Sequence, residues 1–144
     1  MRLWHYKLIP YLPKQQLLGQ WRECCSIKAN IVNKGKPNHI LVNRIMDYPK
    51  DHFYTFCRLI QDQMLERGCN VRDKSRSKIW TECWSWIDES ELFPKWHDDI
   101  YLRQCLYNLE EKFICGGINQ EEWDKIYNAF KEITPLVKEK DYNG

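Results

Sequence analysis

The sequence predicts an all-α fold: a single compact domain spanning residues 1–144, with three to four main helices and long irregular connections. Apolar residues recur with the period of an α-helix in several stretches, and proline and glycine residues bracket those stretches. No stretch shows the strong alternation of apolar and polar residues that is typical of a strand. The chain has 144 residues, 43% of them hydrophobic, which is enough to bury a core.

The first two predicted helices are bounded by proline and glycine. The first runs from about residue 14 to 33, because Pro13 favours its start and Gly35 its end. The second runs from about residue 49 to 67, with Pro49 in its first turn and Gly68 just past its end. One buried stripe is expected on the second helix, because its apolar residues recur at helical spacing: Phe53, Phe56, Cys57, Ile60 and Met64.

Two further helices are predicted in the second half of the chain. One spans about residues 98–114 and stops at Gly116. The other begins at Asn119, with Glu122 at the capping-box position, and ends near Pro135. The stretch 71–96 is predicted to be irregular, and its tryptophans are expected to be packing groups: Trp80, Trp84 and Trp86.

Charge is distributed unevenly along the chain. Residues 1–80 contain 15 basic and 6 acidic side chains, a net +9, whereas residues 81–144 contain 7 and 14, a net −7. A local excess of positive charge suits a polyanion such as DNA. The alternative is that the two halves attract each other across the fold, so that most of the field cancels.

Apolar runs and cysteine spacing bear on the location of the protein. No apolar run approaches the roughly 18 residues of a transmembrane helix, and Lys7, Pro10 and Pro13 interrupt any signal-peptide core. We therefore expect a cytoplasmic protein. We also expect it to be a monomer. The seven cysteines form no C-x-x-C pair, so they are expected to be reduced, buried thiols and not metal ligands.

The first helix presents two different faces on a wheel of 100° per residue. Its apolar side holds Leu17, Leu18, Trp21, Cys24, Cys25 and Ile27. On the opposite side Arg22 and Glu23 flank a shallow lane floored by Gly19 and Ser26, and small residues of this kind let another backbone or a sugar approach closely. No basic residue lies three or four positions from Glu23, so a helical ion pair does not explain this carboxylate.

The chain terminus offers a reactive group. An α-amino group has a pKa near 8, against about 10.4 for a lysine, so roughly one α-amine in ten is neutral and nucleophilic at pH 7. Aminopeptidases remove methionine only before a small residue, and Arg2 is large, so Met1 is expected to carry this amine. A free amine close to Arg22 and Glu23 has the parts of an amine-nucleophile site.

The start of the chain resembles the pyrimidine-dimer DNA glycosylase (phage endonuclease V-like) family. The resemblance rests on residues 2–3, 15–18 and 21–23, which read Arg-Leu, Gln-Gln-Leu-Leu and Trp-Arg-Glu. The distance along the chain from the terminus to Glu23 is also similar to the family's. Weaker likenesses follow at residues 65–73 and 109–112.

The resemblance implies a small all-α enzyme that acts on ultraviolet-damaged double-stranded DNA. By this likeness, the Met1 amine would attack the deoxyribose of the dimer's 5′ nucleotide, and an imine would permit strand cleavage at the abasic site. Glu23 would stabilise the cationic sugar and move the proton for elimination, and Arg22 would hold the substrate. Arg2 and Gln15 would line the same groove, and the chemistry would need no metal or organic cofactor.

Further DNA contacts are expected from the basic first half of the chain. The family has a basic residue one turn beyond the glutamate, and this chain has Ser26 at that position. Lys28 is the candidate substitute for the missing basic residue. Lys34, Lys36 and Arg44 are the other expected contacts. The cations between residues 72 and 78 are a further candidate run, with ordinary solvation as the alternative.

Two other interpretations of the sequence remain open. The protein is either an enzyme or a catalytically inactive helical DNA- or protein-binding module on the same scaffold, which would bind without forming a covalent intermediate. A thiol- or metal-dependent enzyme using Cys24, Cys25 and His39 is the least favoured interpretation.

Overall fold

The computed structural model describes residues 1–71 and 85–140. Four α-helices lie in these residues: α1 (Lys14–Lys34), α2 (Lys50–Glu66), α3 (Asp99–Ile114) and α4 (Gln120–Phe130). Three short 3-10 helices accompany them, at Tyr6–Tyr11, Asn43–Asp47 and Glu89–Glu91. The described part contains no strand, and the predicted all-α class is confirmed.

The starts and ends of the helices follow from local chemistry. Pro13 precedes α1, and Gly35 ends it in the left-handed conformation (φ 77°), with its N–H donating to the Ile31 carbonyl. The side chain of Asp98 caps α3 by accepting from the Tyr101 N–H at 2.9 Å. Asn119 caps α4 in the same way, accepting from the Glu122 N–H at 2.8 Å. These boundaries agree with the predicted ones within about one residue.

The end of α4 differs from the prediction. The helix stops at Phe130, five positions before Pro135. Proline disfavours the helical conformation of the residue before it, here Thr134. Thr134 is buried, and its hydroxyl forms a 2.7 Å hydrogen bond with the Tyr107 hydroxyl. A tertiary contact, and not a further helical turn, therefore holds the residues that follow Phe130.

A single cluster of buried apolar side chains joins the four α-helices and the first two 3-10 helices. Helix α1 packs against α2, and the first 3-10 helix packs against α2 and α4. The predicted stripe on α2 is buried throughout, at Phe53, Phe56, Cys57, Ile60 and Met64. Within the described ranges, no helix has the length and apolar character needed to cross a membrane.

The start of the chain is part of this core. Leu3, Leu8 and Leu12 are buried, and Trp4 is only 7% exposed. A segment with so many buried side chains is held in place by apolar packing, in contrast to the frayed ends common in proteins. The position of Met1 relative to α1 is therefore set by the residues that follow it.

Candidate active site at the start of the chain

One buried side chain fastens the start of the chain to α1. Gln20 is 1% exposed, and its Oε1 accepts a 2.8 Å hydrogen bond from the Trp4 N–H. Its Nε2 donates to the Arg2 carbonyl at 3.0 Å. The amide thus satisfies a buried backbone N–H and a partly buried backbone carbonyl.

The same amide also contacts Glu23. Nε2 of Gln20 lies 3.3 Å from Oε2 of Glu23, one turn further along α1. The Arg2 carbonyl and the Glu23 carboxylate therefore approach one nitrogen atom. Met1 precedes Arg2 directly and is 42% exposed, whereas Glu23 is half-buried. The structure thus brings the start of the chain and this carboxylate to one place on the surface.

Arg22 lies on the other side of the lane that Gly19 and Ser26 form. Its Nη2 is 3.8 Å from the position that a Cβ on Gly19 would occupy, so the guanidinium lies over the glycine. Arg22 and Ser26 also border an open cleft of about 590 Å³, together with Trp21 of the same helix. Both side chains are exposed, so this side of the lane offers a cation and a hydroxyl to solvent.

A second, smaller cavity of about 200 Å³ lies beside Arg2. Arg44, Trp96 and Tyr101 also line it. The Arg44 guanidinium lies 5.2 Å from the centre of the Trp96 ring, in a cation–π contact. The Tyr101 hydroxyl donates to the Leu3 carbonyl at 2.6 Å, so this wall of the cavity is tied to the start of the chain.

The other predicted DNA contacts are spread over the surface around the first helix. Gln15 is exposed in the first turn of α1, and Lys34 is exposed in its last turn. Lys36 is exposed in the loop that follows. This loop is held to α1 by Asn30, whose side-chain amide donates to the Pro37 carbonyl at 3.1 Å.

Lys28 does not lie where a DNA contact requires it. The side chain is 7% exposed, and its Nζ donates to the Tyr54 hydroxyl at 2.9 Å and lies over the Tyr54 ring. Lys28 follows Leu17 by eleven residues, just over three full helical turns, so it shares the buried face. Because its amine is directed to Tyr54 and not to solvent, we do not assign Lys28 the role of the family's basic residue.

Buried imidazoles support the segment that carries Met1. The rings of His5 and His97 stack with centroids 5.1 Å apart, and His97 Nδ1 accepts from the Tyr6 N–H at 3.2 Å. Burial lowers the pKa of His5 from its ordinary 6.5 to about 4. Burial, followed by the nearby His5, lowers the pKa of His97 to about 2. Both rings are therefore neutral at pH 7 and act as acceptors and packing groups.

The thiol or metal interpretation finds no geometric support. Cys24 is fully buried, and Cys25 is half-buried beside it. The Nδ1 of His39 accepts from the Leu41 N–H at 3.2 Å in a surface turn. Within residues 1–71 and 85–140, no three potential ligands form a metal-binding group. The predicted cations between residues 72 and 78, and also Trp80 and Trp84, lie outside the described residues.

Sequence analysis missed the part played by Gln20. On the helical wheel it lies 60° from Leu17, at the edge of the buried face and next to Glu23. A polar residue at the edge of a buried face indicates a side chain that hydrogen-bonds to buried groups of a neighbouring segment. Its partners, the Arg2 carbonyl and the Trp4 N–H, are set by the tertiary fold.

The comparisons with known proteins concern the same part of the chain. A family model described as pyrimidine dimer DNA glycosylase matches residues 1–77, more than half of the chain. The matched stretch includes Met1, Arg2, the whole of α1 and the whole of α2. No curated protein and no solved structure shows significant similarity to the chain. The chain therefore belongs to the pyrimidine dimer DNA glycosylase family, and this membership implies damaged DNA as its binding partner.

Proposed function

We propose that this protein is a DNA-repair glycosylase with abasic-site lyase activity on ultraviolet-type pyrimidine dimers, and that the Met1 α-amine is its nucleophile. One observation carries the proposal: the Gln20 amide joins the Arg2 carbonyl, one residue from Met1, to the Glu23 carboxylate. An amine and a carboxylate held close together on a fixed frame are what imine chemistry at a sugar requires.

The proposed reaction has two stages. In the first, the neutral Met1 amine bonds to the deoxyribose C1′, the bond from C1′ to the base breaks, and the base leaves with a proton from solvent. Glu23 stabilises the positive charge that develops on the sugar. In the second, the sugar ring opens to an imine, Glu23 removes a C2′ proton, and the C3′–oxygen bond breaks with the 3′ phosphate as leaving group. Water then hydrolyses the imine and restores the amine.

Binding is assigned to the cations around this centre. Arg22 lies over Gly19, in the turn of α1 before Glu23, and Arg2 lines the second cavity. Lys34, Lys36 and Arg44 are exposed and extend the positive surface, and Gln15 and Ser26 add polar contacts. Lys28 is left out of this set because its amine is buried against Tyr54. Positive side chains at these positions match the phosphates of a duplex.

Borohydride trapping tests the proposal. The protein is incubated with a duplex that contains a thymine dimer or an abasic site, and borohydride then reduces any imine to a stable protein–DNA adduct. We expect an adduct with wild-type protein and none with a protein whose N-terminus is blocked by a retained tag. A positive control enzyme that traps while wild-type protein does not would favour the inactive binding module.

Glu23→Gln separates binding from chemistry in the same assay. The amide has the shape of the carboxylate but carries no charge and is a very weak base, so DNA affinity should change less than about three-fold while strand cleavage falls about 100-fold or more. Gln16→Glu, on the same helix, is the control for a Gln/Glu exchange. Unchanged cleavage by Glu23→Gln would assign the proton transfer to another group.

A further inference from the structure

Two aliphatic side chains at the rim of the second cavity are exposed to solvent. Ile40 is 83% exposed and Leu41 is 49% exposed, yet the next residue, Val42, is fully buried. Exposing a large aliphatic side chain to water is unfavourable, by about 1.5–3 kcal/mol relative to burial. The turn that carries these two residues therefore presents apolar surface directly beside a site lined by Arg2 and Arg44.

The turn is rigidly built. The Asn43 side chain accepts from the His39 N–H at 3.1 Å, and His39 Nδ1 accepts from the Leu41 N–H at 3.2 Å. The backbone N–H groups of Val42 and Asn43 both donate to the His39 carbonyl, at 3.0 and 2.8 Å. A backbone that is already fixed in this way loses little conformational entropy when the side chains it carries contact a partner.

Backbone strain is concentrated around the same cavity. Asn38, Phe93 and Lys95 have φ of 65°, 46° and 70°, and within the described ranges they are the non-glycine residues with positive φ. Asn38 lies two positions before Ile40, and Phe93 and Lys95 lie three positions and one position before Trp96. Residues held in such conformations are over-represented at binding and catalytic sites.

The cavity is close to the proposed reaction centre. Arg2 lines it with its side chain, while the Arg2 carbonyl accepts from the Gln20 amide that contacts Glu23. The floor is fixed by Trp96, which is 2% exposed, and by Tyr101 through its bond to Leu3. Two exposed aliphatic side chains thus line the same cavity as Arg44 and as Arg2, the residue that follows the proposed nucleophile Met1.

We propose that Ile40 and Leu41 form an apolar wedge that enters the base stack of duplex DNA beside the lesion, while Arg2 and Arg44 bind the adjoining phosphates. This inference rests on the proposed function. Two side chains offer too small an area for a stable protein interface. Apolar side chains inserted between base steps unstack and kink the duplex, and the flanking cations match its phosphates. An unstacked step would expose the sugar to the Met1 amine.

The test compares duplex with single-stranded substrates. The Ile40→Ala/Leu41→Ala double variant is measured against wild type and against Ile114→Ala, an exposed aliphatic position about 20 Å away along α3 from Tyr101. One readout is the fluorescence of 2-aminopurine placed next to the lesion, which rises on unstacking. The other is the rate of adduct trapping by borohydride on a duplex and on a single-stranded abasic oligonucleotide.

The wedge predicts a substrate-dependent loss. The double variant should lose most of the fluorescence rise and trap about ten-fold more slowly on the duplex, with less than about a two-fold change on the single strand, which is already unstacked. Ile40→Gln/Leu41→Gln, which keeps length but not apolar character, should show the same pattern. Ile114→Ala should match wild type on both substrates.

Failure of the wedge and failure of the proposed function give different results. A wild-type protein that traps on both substrates, with a double variant that equals it in fluorescence and rate, overturns the wedge alone. An equal loss on duplex and single strand, or the same loss in Ile114→Ala, also overturns it. A wild-type protein that traps on neither substrate overturns the proposed function and the wedge together.

Discussion

At the scale of single residues, Gln20 determines how the start of the chain meets α1. Its carbonyl oxygen accepts from Trp4, and its amide nitrogen serves both Arg2 and Glu23. A carboxylate needs a donor nearby to be held in one orientation, and this amide supplies it. The proposed catalytic geometry therefore depends on the position of the Gln20 side chain.

Gln20→Glu should disrupt the site while leaving most of the fold intact. The new side chain still accepts from the Trp4 N–H, but an oxygen replaces the donor to the Arg2 carbonyl and to Glu23. We expect adduct trapping to slow about 100-fold, because small displacements of reacting groups are costly. The free energy of unfolding, measured by denaturant titration, should fall by about 1–3 kcal/mol as the partly buried Arg2 carbonyl loses its donor.

Gln16 provides the matched control for this substitution. It lies one turn earlier on α1, and its buried Oε1 has no hydrogen-bond partner among the described residues. Gln16→Glu should therefore leave adduct trapping within about two-fold of wild type. Equal trapping by the Gln20 and Gln16 variants would show that the Gln20 amide does not position the reactive groups.

At the scale of elements, α1 combines a buried face with an exposed strip whose floor is glycine. A glycine within a helix costs about 1 kcal/mol relative to alanine. An added Cβ at Gly19 would meet only the Arg22 guanidinium at 3.8 Å, an ordinary contact, so the fold does not require glycine there. Under the proposed function, close approach of DNA is the reason we assign to a glycine beneath Arg22.

Gly19→Ala should accordingly move stability and function in opposite directions. The free energy of unfolding should rise by about 0.5–1 kcal/mol, because alanine favours the helix. Affinity for lesion-containing duplex should fall several-fold, because the added methyl group keeps the sugar-phosphate backbone away from the helix. Thermal unfolding and a fluorescence binding titration measure the two effects. Higher stability with unchanged affinity would mean that DNA does not approach this lane closely.

The helices were largely predictable because their boundaries depend on local chemistry. Pro13, Gly35 and Asn119 act within one turn of themselves, so the sequence indicated those boundaries within about one residue. The end of α4 was placed too late because Thr134 bonds to Tyr107 on another helix. The three 3-10 helices carry no comparable pattern in the sequence.

The candidate site was only partly predictable for a similar reason. Arg22 and Glu23 follow from helical spacing, and Met1 from the chemistry of a terminal amine. The cavity between Arg2 and Trp96, in contrast, unites residues that are 94 positions apart. Tertiary packing also determines that Lys28 meets Tyr54, a contact that no pattern in α1 alone reveals.

At the scale of the whole molecule, the uneven charge distribution predicts how binding responds to salt. Each phosphate contact should contribute about −0.9 to the slope of log affinity against log salt concentration. Lys34→Gln and Lys36→Gln should therefore each make the slope about 1 less negative. Lys125→Gln, an exposed position on α4 in the acidic half, should leave it unchanged. A common slope for all three variants would remove Lys34 and Lys36 from the interface.

The buried imidazoles predict how the stability of the whole fold depends on pH. The pKa values of His5 and His97 are lowered in the folded state, to about 4 and about 2, from an ordinary 6.5. At pH values between the folded-state pKa and 6.5, the unfolded chain binds more protons than the folded protein does. The free energy of unfolding therefore falls as the pH falls below 6.5. Each imidazole contributes up to about 1.4 kcal/mol per pH unit.

His97→Asn tests this dependence. The Asn side-chain oxygen can accept from the Tyr6 N–H in place of His97 Nδ1, but it does not titrate. Denaturant titrations between pH 4 and 7 should show a shallower decline in the free energy of unfolding than wild type shows. An equally steep decline in both proteins would attribute the acid sensitivity to other groups.

Identification of the atom that bonds to DNA tests the central claim most directly. The borohydride-reduced protein–DNA adduct is digested with protease and nuclease, and the modified residue is located by tandem mass spectrometry. Our account predicts a single modification, a reduced deoxyribose remnant on the α-nitrogen of Met1. A remnant on the Nζ of a lysine, with the α-amine unmodified, would contradict the account.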